Sequence, residues 1–125
     1  MDTPKQVDSL SEQELWPDAL DALVAAPNHH RLLFENDRVR VVETHIPAGE
    51  RTAVHTHRWA GVLYTMTWSD FIRYDDKGNV LVDTKKNGIV REPGSANWGP
   101  ALPPHSLENV GSSELRIVAV EMKDT

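Results

Sequence analysis

From Leu32 to the end of the chain, apolar positions recur with a period of two, in short runs broken by glycine and proline. Val39 to Ile46 is strand-like and stops at the turn signal Pro47-Ala48-Gly49. Further strands are predicted over Ala53 to His57, Val62 to Trp68 and Phe71 to Tyr74, and Asp75 to Asn79 reads as a hairpin loop from which Val80 to Thr84 returns. Asn87-Gly88 marks another turn, and Ile89-Val90, Ala96 to Trp98, Ser106 to Val110 and Leu115 to Met122 supply the remaining strands. In the last run Leu115, Ile117 and Ala119 oppose Arg116, Val118 and Val120, so both faces are largely apolar and an outer cover is expected, from the N-terminal helix or a second subunit.

Before Leu32 the pattern changes. Ser11 with Glu14 offers a capping box, Trp16-Pro17-Asp18 a second helix start, and Leu20, Leu23 and Val24 form a helical stripe that Pro27 ends. One short helix of about ten residues is predicted, its stripe packed on the outside of a sheet. The organisation read from these patterns is an N-terminal extension over 1–31 with this helix, then a single all-β domain over 32–125, a sandwich or barrel.

Composition narrows the partners. The 125 residues carry a formal charge of −6, and no basic run exceeds Lys85-Lys86, which argues against nucleic acid and anionic membrane surfaces. No stretch has the pattern of a signal peptide or a transmembrane span, so cytoplasmic residence is the default expectation. Cysteine is absent, which removes thiolate ligands, thiol nucleophiles and disulfides. No Gly-x-Ser-x-Gly elbow or phosphate-binding glycine loop is present.

The candidate chemistry lies in histidine. His55 and His57 stand at i and i+2, a spacing that puts both on one face of a strand, and His105 follows Pro103-Pro104 at what reads as a strand entrance. Three imidazoles able to converge inside a β structure form a metal-site hypothesis.

Taken together, the spacings resemble a known family. Gly49, five residues, then His55-x-His57 is similar to the first motif of the cupin superfamily, and Gly94, five residues, Pro100, then His105, three residues, Asn109 is similar to the second. The resemblance covers roughly residues 32 to 122, and the helix followed by Asn28 to Asn36 resembles the opening of small single-domain cupins of the conserved-barrel type. It implies a double-stranded β-helix, the jelly-roll cupin barrel, with His55, His57 and His105 as ligands of one divalent transition metal. It also implies a homodimer. Two positions depart from the family pattern: Gly61 and Val62 stand where a glutamate ligand is usual, and Leu102 replaces a glycine.

Three neutral imidazoles leave a divalent ion its full charge, so the open positions favour an anionic small-molecule ligand. Iron(II), nickel, zinc, manganese and copper all suit such a donor set. The all-histidine arrangement resembles that of thiol and diketone dioxygenases, which favours iron(II) and an oxygenase-like enzyme, with a non-catalytic binding or sensing cupin as the alternative. If Val62 occupies the glutamate's place, alternation brings Tyr64, Met66 and Trp68 inward, with Tyr64 and Trp68 as substrate-binding candidates. Trp59 is expected at the entrance or a subunit contact. His29 and His30 are read as linker residues that are solvated or packed at an edge, and His45 as a surface or core residue. Glu43, Glu108 and Glu121 are read as solvated. Arg58, Arg73 and Arg116 are candidate anion clamps, although scattered arginines more often lie on solvated faces.

Overall fold

In a computed structural model of the chain, residues 16–123 are described. The capping box at Ser11 and Glu14 lies outside them. Nine strands occupy most of the rest: β1 (His30–Glu35), β2 (Val39–Ile46), β3 (His55–His57), β4 (Gly61–Thr67), β5 (Phe71–Asp75), β6 (Val80–Asp83), β7 (Ala96–Gly99), β8 (Leu102–Asn109) and β9 (Leu115–Met122). They form a five-stranded sheet in the order β1-β2-β9-β4-β7 and a four-stranded sheet in the order β3-β8-β5-β6, and every pairing between strands is antiparallel. The fold is the expected jelly roll. No helix among the described residues is long and apolar enough to cross a membrane.

Alternation decides what faces the space between the sheets. On β2 and β9 the register pairs Val42 with Ala119 and Ile46 with Leu115, and all four side chains are buried. The same phase turns Arg40, Thr44, Ile117 and Glu121 inward. Two loops are fixed by predicted residues: Gly49 and Gly94 both take φ of +84°, a left-handed angle that glycine adopts without strain. Asn109 also holds a loop, donating from Nδ2 to the carbonyls of Ile46 and Ser113 while its Oδ1 accepts from Ser69 Oγ at 2.7 Å.

Three expectations are corrected. The N-terminal helix is not one continuous element: a 3-10 turn at Asp18–Leu20 is followed, after an extended Asp21, by α1 (Ala22–Ala25). Asp21 breaks the helix because its carboxylate accepts both from Leu23 N, capping α1, and from Arg40 of β2. The buried positions are accordingly Ala22 and Ala26, while Val24 of the predicted stripe is 64% exposed. This segment packs against β1 and β3, where Thr56 Oγ1 donates to Leu20 O, and does not cover the outer face of β9. Second, a helical turn, α2 (Thr84–Asn87), replaces the simple turn; Asp83 caps it, Gly88 closes it at φ +66°, and Ile89-Val90 is irregular.

The third correction concerns β4. Gly61, Leu63 and Thr65 face inward, and Val62, Tyr64 and Met66 lie on the outer face. Tyr64 is 41% exposed and is not a wall of the interior. Apolarity pointed the wrong way here because the outer face of the five-stranded sheet is itself apolar, carrying Phe34, Val62, Tyr64, Trp98 and Met122 among its exposed side chains.

Candidate metal centre

The β3–β8 pairing builds the centre. His55 pairs with His105 and His57 with Leu102, so the register slips by one residue between the two histidines. Pro103 and Pro104, which cannot donate to a ladder, sit in the slipped stretch. Leu102, the residue replacing the family glycine, therefore opens β8 and leaves His105 facing inward. The rings of His55 and His57 stand 4.9 Å apart between centroids, and that of His105 lies 4.4 Å from His55 and 5.5 Å from His57. The structure thus brings the three predicted histidines together.

It adds a fourth. His30 pairs with Thr44 at the start of β1, faces inward and is buried, its ring 4.5 Å from His55 and 5.3 Å from His57. One ring nitrogen from each of His30, His55 and His57 lies within 4.8 Å of the other two, close enough for one ion to hold all three. The reading of His30 as a linker residue is corrected: β1 starts earlier than the apolar pattern does. Its neighbour His29 turns the other way, with Nε2 2.9 Å from Glu50 Oε1.

The donor set fits a metal. Nδ1 of His30 donates to Ala26 O at 3.0 Å, Nδ1 of His55 to Ala53 O at 2.8 Å, and Nδ1 of His105 to Pro103 O at 2.7 Å. A carbonyl only accepts, so each of these nitrogens carries the ring proton and Nε2 keeps its lone pair. His57 Nδ1 is 3.4 Å from Glu121 Oε2, completing the set. Burial pushes the imidazoles down from the usual histidine range, His30 and His105 to about 2 and His57 to about 3, and the neighbouring rings add to the shift. His55 moves in the same direction, with burial again the largest cause. Neutral imidazoles with fixed tautomers are what a metal requires.

Glu121 was expected to be solvated; it is 2% exposed. Its Oε1 accepts from Arg40 Nε at 2.8 Å, and Arg40 in turn donates to both oxygens of Asp21 at 3.0 and 2.8 Å. Burial pushes the Glu121 carboxyl up, against the pull of Arg40. Burial acts the same way on Asp21, but the Arg40 contacts outweigh it and hold that carboxyl below its ordinary value. Glu43 and Glu108 lie elsewhere, Glu43 facing Arg31 and Arg116 and Glu108 accepting from the Tyr74 hydroxyl. His45 sits 3.5 Å from Glu114 at the surface.

Above the histidines opens a cavity of about 300 Å³. Leu63, Leu107, Ile117, Phe71 and Trp68 give it apolar walls, and Trp59 borders it as well. Of the two predicted substrate-binding aromatics, Trp68 reaches this space, its ring 5.7 Å from Phe71, because the β4–β9 register shifts between Thr65 and Thr67. At the glutamate's usual place the inward residue is Gly61, whose added Cβ would lie 1.9 Å from Val120 O. Among the described residues the group of side chains able to hold an ion is made of histidines, His30 with His55 and His57.

No family model matches the chain, and no curated protein matches it in sequence. Solved structures do match in fold. A cupin domain from Bordetella pertussis Tohama I is 24% identical, with 76% of this chain and 92% of that one covered at a TM-score of 0.60. An RmlC-like cupin with a double-stranded β-helix from Methanocaldococcus jannaschii is 14% identical over 74% and 77% at a TM-score of 0.52. The DMSP lyase DddQ of Ruegeria pomeroyi DSS-3 is 14% identical over 76% of this chain and 46% of its own, at 0.51. With two antiparallel sheets closed over a histidine cluster and these likenesses, the chain has the double-stranded β-helix fold of small cupin domains.

Proposed function

We propose that this cupin is a mononuclear metalloenzyme acting on a small organic anion, with iron(II) and oxygenase-type chemistry as the best fit. The observation that carries the reading is the group of buried imidazoles at one end of an apolar cavity: His30, His55 and His57 offer ring nitrogens within 4.8 Å of one another, and the His105 ring stands 4.4 Å from that of His55. His55, His57 and His105 would hold the ion together with His30. Bound there, the ion supplies Lewis acidity and, as iron(II), electron exchange with molecular oxygen. The protein's own part is to keep the donors neutral, to orient His57 through Glu121, and to surround the substrate with apolar side chains that exclude water. Because no carboxylate is among the ligands, the ion's charge is not reduced, and an anion is the favoured occupant of the remaining positions. A dioxygenase reaction takes O2 as co-substrate, with both atoms ending in the organic product and no outside reductant required.

The test is metal analysis of protein purified without chelator and without nickel resin, beside the His55→Ala/His105→Ala double variant and His30→Ala. About one transition metal per chain is expected, lost in the double variant and bound more weakly in His30→Ala. Oxygen uptake by the iron(II)-loaded protein is then measured against a panel of small carboxylates. Equal trace metal in all three proteins would overturn the metal reading, and a loaded protein that consumes no oxygen with any substrate would overturn the oxygenase reading.

A further inference from the structure

Arg73 stands on β5 opposite Leu107 of β8, in the inward phase that also carries Phe71. Two residues further along β8 is His105, on the same face. Diagonal neighbours of this kind sit about 7–8 Å apart, within reach of a long side chain. Arg73 borders the cavity beside His105, Leu107 and Val82.

Its charge has no counterpart. Arg58 pairs with Asp18, and Arg116 with Glu43 and Glu114, but Arg73 has no ion-pair partner among the described residues, and its Nε is buried without a hydrogen bond. Among the described residues the one carboxylate bordering the cavity, Glu121, is already engaged by Arg40 and His57. Burial alone pushes the Arg73 guanidinium down from its ordinary value, with no acid to offset it. A cation held in this way costs stability, so its retention on a cavity wall calls for a ligand that completes it.

We infer that Arg73 is the carboxylate-binding residue of this cavity, and that the ligand is a small carboxylate with an apolar chain, held between the guanidinium and the histidine centre. This deepens the metal-centre reading and rests on it for the second anchoring point. Guanidinium matches a carboxylate in two parallel hydrogen bonds, whereas the apolar walls accept the chain. A cavity of about 300 Å³ lies at the small end of the range that holds organic ligands, which limits the chain to a short one. Arg91 borders the mouth and adds to the attraction of an anion.

The probe pair is 4-methylpentanoate and its neutral amide, titrated by calorimetry into zinc-loaded wild type, Arg73→Met and Arg73→Lys, with zinc content and unfolding temperature measured for each. Arg73→Met is expected to bind the carboxylate on the order of tenfold to a hundredfold more weakly, the size of a lost charge-assisted pair, with amide affinity unchanged. Arg73→Lys recovers part of the loss. Arg73→Met should unfold no earlier than wild type, since it removes an uncompensated cation; a purely structural arginine would lower the unfolding temperature instead. Equal carboxylate affinity in wild type and Arg73→Met, or no carboxylate binding by zinc-loaded wild type, would overturn the clamp while leaving the metal centre standing. Failure to load zinc with the carboxylate-to-amide preference intact would overturn the metal centre and support the clamp.

Discussion

Glu121 is placed to tune the centre without touching a metal. Its Oε2 lies 3.4 Å from His57 Nδ1, and its Oε1 accepts from Arg40. A carboxylate behind a ligating imidazole fixes the ring and raises its basicity, and losing it costs about tenfold to a hundredfold in metal affinity. Glu121→Gln keeps the shape and removes the charge, so zinc affinity measured by chelator competition should fall by about that factor while stoichiometry at saturation is kept. The same change weakens a charged hydrogen bond to buried Arg40, at a cost of about 1–3 kcal/mol in the urea unfolding free energy. Unchanged zinc affinity would mean that the carboxylate serves only Arg40. Glu121 was legible in the sequence: the inward set Leu115, Ile117 and Ala119 reaches it in one more step of two. What hid it was the expectation that a strand glutamate is solvated, which fails where an arginine on the next strand is buried with it. His30 was hidden differently, by two residues of polar sequence that precede the first apolar position of β1.

At the scale of elements, β4 shows how a strand is placed by backbone contact more than by its hydrophobic residues. Gly61 pairs with Gly99 of β7 on one side and with Glu121 of β9 on the other, and a Cβ there would meet Val120 O and Val120 C at 1.9 and 2.8 Å. Backbone atoms cannot yield as a flexible side chain can. Gly61→Ala should therefore destabilise the protein by about 1–3 kcal/mol or more through overpacking, read as a lower urea midpoint. A midpoint matching wild type would show that β4 and β9 are free to separate. The same contact explains why the strands themselves were legible and the phase of this one was not. Val39–Ile46 and Leu115–Met122 fall where alternation puts them. In β4 two of the three inward positions are small or polar, Gly61 and Thr65 beside Leu63, while the outward ones are Val62, Tyr64 and Met66, so apolarity does not tell the faces apart. The glycine and histidine spacings led to residues whose rings the fold brings side by side, because such spacings answer to turn angles and strand pitch, which do not depend on which face is wet.

Across the whole molecule, the histidine centre sets how stability responds to acid. In the unfolded chain a histidine takes a proton near pH 6.5, whereas the fold holds His30 and His105 near 2 and His57 near 3, and lowers His55 as well. Between those limits the unfolded state binds protons that the native state refuses, so stability is full above about pH 6.5 and falls as pH drops through the window below it. Each such imidazole contributes a slope of about 1.4 kcal/mol per pH unit. Asp21, held low by Arg40, adds to the loss below its ordinary value of 3.8, and Glu121, pushed up by burial, opposes it by taking its proton more readily when folded. The three imidazoles held lowest outweigh the one opposing carboxyl and, with His55 acting in the same direction, would exhaust a domain stability of about 5–15 kcal/mol within about one to four pH units. Protein stripped of metal should therefore show urea midpoints that are level above pH 7, fall steeply below 6.5 and vanish near pH 4, followed by tryptophan fluorescence. A midpoint independent of pH from 7 to 4.5 would contradict the burial of the cluster. Loading with zinc should raise the midpoint at every pH because the ion binds only the folded chain. The gain should shrink as the solution becomes acid, since protons and the ion compete for the same nitrogen lone pairs.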